Sequence, residues 1–370
     1  LSEVSGDYRR LFSESFSLPE LTRVPILEEV IRLADLARDI GFGFQSREEL
    51  MSSALFSGQI EKTLAAFAWC LAHCDGDPER FPETRMLWQY KWVAGHLADY
   101  PEISRSRIPK TLDDLGVRFR RNSWGQRGPL HTRLICALDM GDGDLAHSTY
   151  HEWLHMPRGQ GDNCAACEQD QKVRFHLFCG DDSAAFRHAE PILEGKLRCA
   201  EVPKRTLCRL LLPYFFADRI GDAVAAYRRT RSQLKPSESY ITDCVAHIQF
   251  LALGGNERLA IRLFERSLPK VLSSYNLLDL MKYYLSVRLL MTVLIQSASR
   301  TRQRLRIPSH APFFEPGGVY ELEKVCSWFE SEATNLALQF DQRNGNSYYS
   351  NIAIDGRGLI EARRLTPLDE

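Results

Sequence analysis

Apolar residues recur three and four positions apart in run after run along this chain, the spacing that gathers them on one face of an α-helix. The pattern predicts helices over residues 24–40, 84–100, 131–140, 171–179, 204–217 and 239–253, with a shorter one over 112–119. The last is bounded by Pro109 and by the loop Gly125-Gln126-Arg127-Gly128. Two further helices are predicted over 277–297 and 319–340, separated by a loop over 307–318 that carries Pro and Gly. Asn344-Gly345-Asn346 marks a turn, and the tail to Glu370, without a strong period, is expected to fray.

Between these segments a second pattern repeats. Gly221-Asp222 leads into Ala223, Tyr227 and Thr230, and Gly255-Asn256-Glu257 into Ala260, Phe264 and Ser267, with the same offsets of four and three. Gly143-Asp144 leads into Ala146, Tyr150 and Trp153, Gly58-Gln59 into Thr63, Phe67 and Cys70, and Gly180-Asp181-Asp182 into Ala185, Ala189 and Ile192. Taken from the first residue of each triplet, the steps from Ala146 to Ala185, Ala223 and Ala260 are about 37 to 39 residues, near the length of a helical-hairpin repeat. The physics accounts for the spelling. A glycine turn ends the first helix, an acidic or polar residue caps the second, and a small residue lets the two approach. An aromatic one turn later fills the gap to the next hairpin.

This spacing resembles the tetratricopeptide repeat, whose second helix carries small, aromatic and small residues at those offsets, often with a proline at its end, as at Pro157 and Pro236 here. The resemblance covers residues 20–275; it departs at the final small position, occupied by Thr230, Ser267, Cys70 or Trp153. Ala65-Ala66-Phe67-Ala68-Trp69-Cys70 and Glu190-Pro191-Ile192-Leu193 also look like bacterial tetratricopeptide proteins. The resemblance implies an all-α, right-handed superhelical solenoid of antiparallel hairpins over 1–275, a helical cap over 276–340 and a tail over 341–370. It also implies a protein or peptide ligand on the concave surface of the first helices, where Tyr90, Lys91, Arg133, Arg209 and His247 are the candidate contacts.

Composition narrows the partners. Hydrophobic residues make up 44% and charged residues 26%, ordinary for a folded globular chain. A formal charge of -1 gives no global field for nucleic acid or an anionic membrane, and the basic clusters at Arg118 to Arg121, Arg228 with Arg229, and Arg300 to Arg306 read as helix surface. Asp279, Lys282 and Arg288 interrupt the most apolar stretch, so no membrane-spanning run is expected. The ten cysteines fall mostly inside helical patterns, such as Cys136, Cys208, Cys244 and Cys326, which suits a reducing, cytoplasmic setting.

Two strings could carry chemistry. His151-Glu152-Trp153-Leu154-His155 fits the H-E-x-x-H pattern, in which two histidines one helical turn apart hold zinc and the glutamate deprotonates its water. Its repeat position places the histidines on the outer flank, and Pro157 follows where a third ligand would be sought, so no catalytic residue is assigned. The stronger candidate is Cys164-Ala165-Ala166-Cys167, whose two thiolates suit a structural zinc completed by Cys199 with Cys179 or a histidine, or by His151 and His155. The plain alternative is a pair of thiols at a helix start. The Trp88, Tyr90, Lys91, Trp92 and His96 stripe reads equally as core packing. The expectation is a non-enzymatic binding scaffold with a possible structural zinc; a zinc hydrolase and a regulatory or sensor module of a larger protein are the alternatives.

Overall fold

The computed structural model describes residues 2–57, 59–235, 240–298, 301–355, 361, 363–366 and 368. Gly58, Pro236, Ser239 and Arg300, named above, lie outside the described residues. Among the described residues the regular structure is helical, except for an antiparallel pair of short strands that brings Arg302–Arg304 against Val319–Glu321.

The helices are α1 (Ser2–Ser15), α2 (Glu20–Leu36), α3 (Ile40–Phe56), α4 (Ile60–Gly76), α5 (Leu87–Gly95), α6 (Arg107–Arg121), α7 (Arg127–Asp139), α8 (Gly143–His155) and α9 (Ala165–Phe178). They continue as α10 (Asp182–Leu193), α11 (Lys204–Phe216), α12 (Ile220–Thr230), α13 (Tyr240–Leu253), α14 (Glu257–Leu272), α15 (Leu277–Ala298), α16 (Leu322–Asn344) and α17 (Tyr348–Asp355). Several starts fall earlier than the apolar pattern alone suggests. Pro109 sits in the first turn of α6 and Pro129 in that of α7, where a missing amide hydrogen breaks no helical bond.

From α7 onward the helices pack in consecutive pairs: α7 with α8, α9 with α10, α11 with α12, α13 with α14, and α15 with α16. The first helix of each pair also touches the first helix of the next, forming one row. The turns follow the caps. At the α7–α8 turn Gly141 adopts φ +64°, and the Asp142 carboxylate then accepts the Leu145 amide. At the next pair Gly180 and Asp181 repeat the arrangement. The triplets Thr63/Phe67/Cys70, Ala146/Tyr150/Trp153, Ala185/Ala189/Ile192, Ala223/Tyr227/Thr230 and Ala260/Phe264/Ser267 are all buried.

Two large apolar cores result, one running from Tyr8 to Met140 and the other from Val173 to Ala353. Between them lie two small clusters, one around Trp153 and one made of Ala166, Ile192 and Val202.

Among its described residues, the segment after Asp341 is tied to the body of the protein, against the fraying its lack of period suggests. α16 runs on to Asn344, and Arg343 donates to the carbonyls of Ala98 (2.7 Å), Tyr100 (3.1 Å) and Ile103 (3.2 Å). Asn346 donates to the Met140 carbonyl (2.8 Å) and the Tyr349 hydroxyl to that of Asp139 (2.5 Å), so α17 lies on the C-terminal end of α7. A Cβ at Gly141 would sit 2.2 Å from the Tyr348 ring, which measures how close that approach is. Beyond α17, Thr366 donates to the Gly254 carbonyl (2.8 Å), and Asn256 donates to the Thr366 carbonyl (2.8 Å).

Candidate metal centre and inner face

Three thiols meet where α9 begins. Cys164 caps the helix, its sulfur accepting the Cys167 amide at 3.4 Å, so the two cysteines of the C-x-x-C string turn toward one point. The loop before α11 brings the third. Cys199 lies 3.6 Å from Cys167, sulfur to sulfur, and accepts the Val202 amide at 3.4 Å. All three sulfurs fall within 4.8 Å of one another, close to the separation of about 3.8 Å that tetrahedral zinc thiolates would impose. Among the described residues this is the sole group of three or more such donor atoms within reach of one ion.

The surroundings favour negative charge on the Cys164 sulfur. Burial alone would raise the Cys164 thiol, but the amides of Cys167 and Ala166 and the two neighbouring thiols point at its sulfur and hold it below its usual value. Burial pushes Cys167 up, opposed by the Arg205 guanidinium, which hydrogen-bonds to it. Arg205 is itself fixed by Asp170 at 2.8 Å, and Asp170 also accepts from Thr206 at 2.6 Å.

The loop that delivers Cys164 is held as firmly by polar contacts. Arg127 reaches Glu168 (2.9 Å) and the carbonyls of Trp153 (2.9 Å) and Met156 (2.7 Å), while Arg158 pairs with Glu168. Lys91 donates to the Gly161 carbonyl at 2.6 Å, and Asn163 bonds to the His131 ring at 2.8 Å.

The other sequence candidates fall differently. Tyr90 is buried and donates to Asp114 (2.7 Å); Lys91 is buried over the Trp88 ring, and burial brings its ammonium down to about 8. His247 is wholly buried between Thr230 (2.9 Å) and the Asp243 carbonyl (2.8 Å), and burial lowers it to about 4. These three side chains therefore serve the interior and offer a ligand nothing in this conformation: the period gave their helices but not their facing. Arg133 is partly exposed and pairs with Asp113 (2.5 Å). Arg209 lies beside the inner row, its Nε 3.5 Å from Asp170 and without a hydrogen bond.

His151, Glu152 and His155 are exposed on α8, with the His155 Nδ1 bonded to the His151 carbonyl at 2.7 Å. Neither histidine joins the thiol cluster, and Cys179 sits instead at 3.4 Å from His147. Of the completions open to the C-x-x-C string, the structure brings in Cys199 alone. The Arg118 to Arg121 cluster is internally paired, Arg118 with Asp75, Glu83 and Asp114 and Arg121 with Glu83.

A second feature escaped sequence reasoning. Two adjoining cavities of about 270 and 210 Å³ open between the row of first helices and α17, sharing Lys282, Leu285 and Ile352. Asp139, Arg174 and Tyr349 line the larger, and Gln249 and Arg288 the smaller. On their walls Arg174, Lys282 and Arg288 outnumber Asp139, while Arg205 and Arg209 flank Asp170 nearby. Burial would raise both carboxyls, yet the cations beside them hold both below the usual range. Burial, with Arg174 and Arg205 close by, brings Arg209 down to about 10. Sequence could have hinted at this: Arg174 and Arg209 occupy related places in successive first helices.

No family model matches the chain, and no curated protein matches it. Among the described residues no helix is long and apolar enough to cross a membrane.

Proposed function

We propose that this chain is a non-enzymatic scaffold: a right-handed, tetratricopeptide-like solenoid of antiparallel hairpins, capped by α15 and α16, that docks a carboxylate-bearing protein segment on its inner face. The observation that carries the reading is the pair of adjoining cavities along the row of first helices, walled by apolar side chains and edged by an excess of cations. Leu285 and Ile352 give apolar area to an anchoring side chain, while Lys282, on the wall of both cavities, and Arg209, beside the Arg174 and Asp139 that line the larger, give the segment's carboxylates a charged partner. In the same reading Cys164, Cys167 and Cys199 hold a structural zinc that ties α9 to the link before α11, as expected of thiolates gathered from sequence-distant turns.

The test is selection of peptides from a random displayed library on the purified chain, followed by anisotropy titration against the wild type and the double variant Lys282→Gln/Arg209→Gln. Enriched acidic peptides whose affinity drops at least tenfold in the double variant, and falls with added salt, support the reading. Peptides that bind the variant equally well would place the binding surface elsewhere.

A further inference from the structure

The thiol cluster has a direction as well as a composition. Cys167 and Cys199 are half-buried against the small apolar cluster of Ala166, Ile192 and Val202, whereas Cys164 is exposed, so one side of the triangle of sulfurs faces solvent. The two chain segments that supply the sulfurs are built alike at their first position. Cys164 accepts the amide three residues on, at Cys167, and Cys199 accepts the amide three residues on, at Val202. In the first segment that third residue is itself a sulfur donor. In the second it is a valine, fully buried. The two segments therefore share a sulfur-to-amide turn, and the second carries a hydrocarbon where a second C-x-x-C string would carry its second sulfur.

We infer that Cys164, Cys167 and Cys199 bind one thiophilic divalent cation of the zinc class through three thiolates and leave its fourth position to an exchangeable donor from outside the chain. Water fills that position in the free protein, and a soft or borderline donor, an imidazole or a thiolate, displaces it. Charge is consistent with this: three thiolates and a dication sum to one negative charge, and the Arg205 guanidinium against Cys167 supplies the counter-charge. Geometry is consistent as well. Closed structural zinc sites take four protein donors, whereas sites with three keep a position open to solvent or ligand. The inference rests on the zinc reading given above and adds to it the open position.

Cobalt(II) separates the possibilities because its visible spectrum reports both thiolate number and coordination. Cobalt is titrated into the reduced, metal-free chain, and imidazole is then added. The expected result is binding of one equivalent, charge-transfer intensity that falls by about a third in Cys164→Ser and in Cys199→Ser, and ligand-field bands that shift on adding imidazole. Val202→Cys should raise the charge-transfer intensity and abolish the imidazole response. Should that variant not fold, the wild-type response to imidazole decides alone. A wild-type spectrum that is silent to imidazole overturns the open position while leaving a zinc staple in place. Failure of the folded chain to take up cobalt overturns both, and neither result bears on peptide docking at Lys282 and Arg209, which is measured separately.

Discussion

The hairpin of α13 and α14 and the hairpin of α9 and α10 carry the same spacing but are held together by different forces. In the first, Phe250, Phe264 and Leu268 are fully buried and join Tyr283, Met281 and Phe329 from the helices stacked on it. In the second, the place of Phe264 is taken by Ala189; Val173, Ala185 and Ala189 reach the large core with smaller side chains, and Ala166, Ile192 and Val202 form a separate small cluster. Replacing an aromatic by alanine forgoes roughly 100 Å² of apolar burial, or about 2.5 kcal/mol. Polar groups occupy the difference: Glu168 between Arg127 and Arg158, Asp170 between Thr206 and Arg205, and three thiols. A repeat therefore keeps its geometry when its filler is lost, provided directional contacts replace it, and the proposed metal acts beside one of the small apolar clusters.

The comparison breaks most sharply at its apolar end. Phe264→Ala should cost about 3–5 kcal/mol in urea unfolding followed by far-UV circular dichroism; a loss below about 1 kcal/mol would show that packing there is not what holds the hairpin. At the polar end, Glu168→Gln leaves two guanidinium groups short of a carboxylate and should cost about 3 kcal/mol in the same assay. Little change would mean the network merely decorates the loop.

Asp279, at the start of α15, sharpens the contrast through pH. Burial, reinforced by Asp99 and opposed by Lys282, pushes its carboxyl up to about 7. Because the folded value exceeds the unfolded one, its favourable contribution is complete below about pH 4 and is lost as pH rises through about 7. Asp279→Asn should therefore stabilise the chain by about 1 kcal/mol at pH 8, after allowance for solvent screening, with no gain at pH 4. A gain independent of pH would assign the effect to packing. The smallest change is expected from Ile192→Val, about 1 kcal/mol or less, and a larger loss there than in Glu168→Gln would reverse the ranking of forces in this hairpin.

How much of this the sequence disclosed differs by feature. The triplets announced themselves because a small residue, an aromatic and a small residue at fixed offsets have no reason to recur except packing, and all of them are buried. The Cys164–Cys167 string was legible for the same reason. Cys199 was one of several completions, since only the folded hairpins put residues 32 positions apart side by side. The inner or outer facing of Tyr90, Lys91 and His247 was not legible: period fixes which residues share a face, but what covers that face comes from elsewhere, as the Gly161 carbonyl does for Lys91. α17 went unread because its docking depends on Gly141 and Asp139, some two hundred residues earlier.

Arg343 donates to three carbonyls between Ala98 and Ile103, and Asn276 donates to Asp99 at 2.9 Å. A helical array with untethered ends behaves as a spring, able to lengthen and open its bore as it grips what enters. Here the start of α15 and the end of α16 are both tied back to the segment before α6, which fixes the separation between them. Under the docking proposed above, an array tied in this way does not stretch to fit a guest, so the cavities at Lys282 would select a segment by its size.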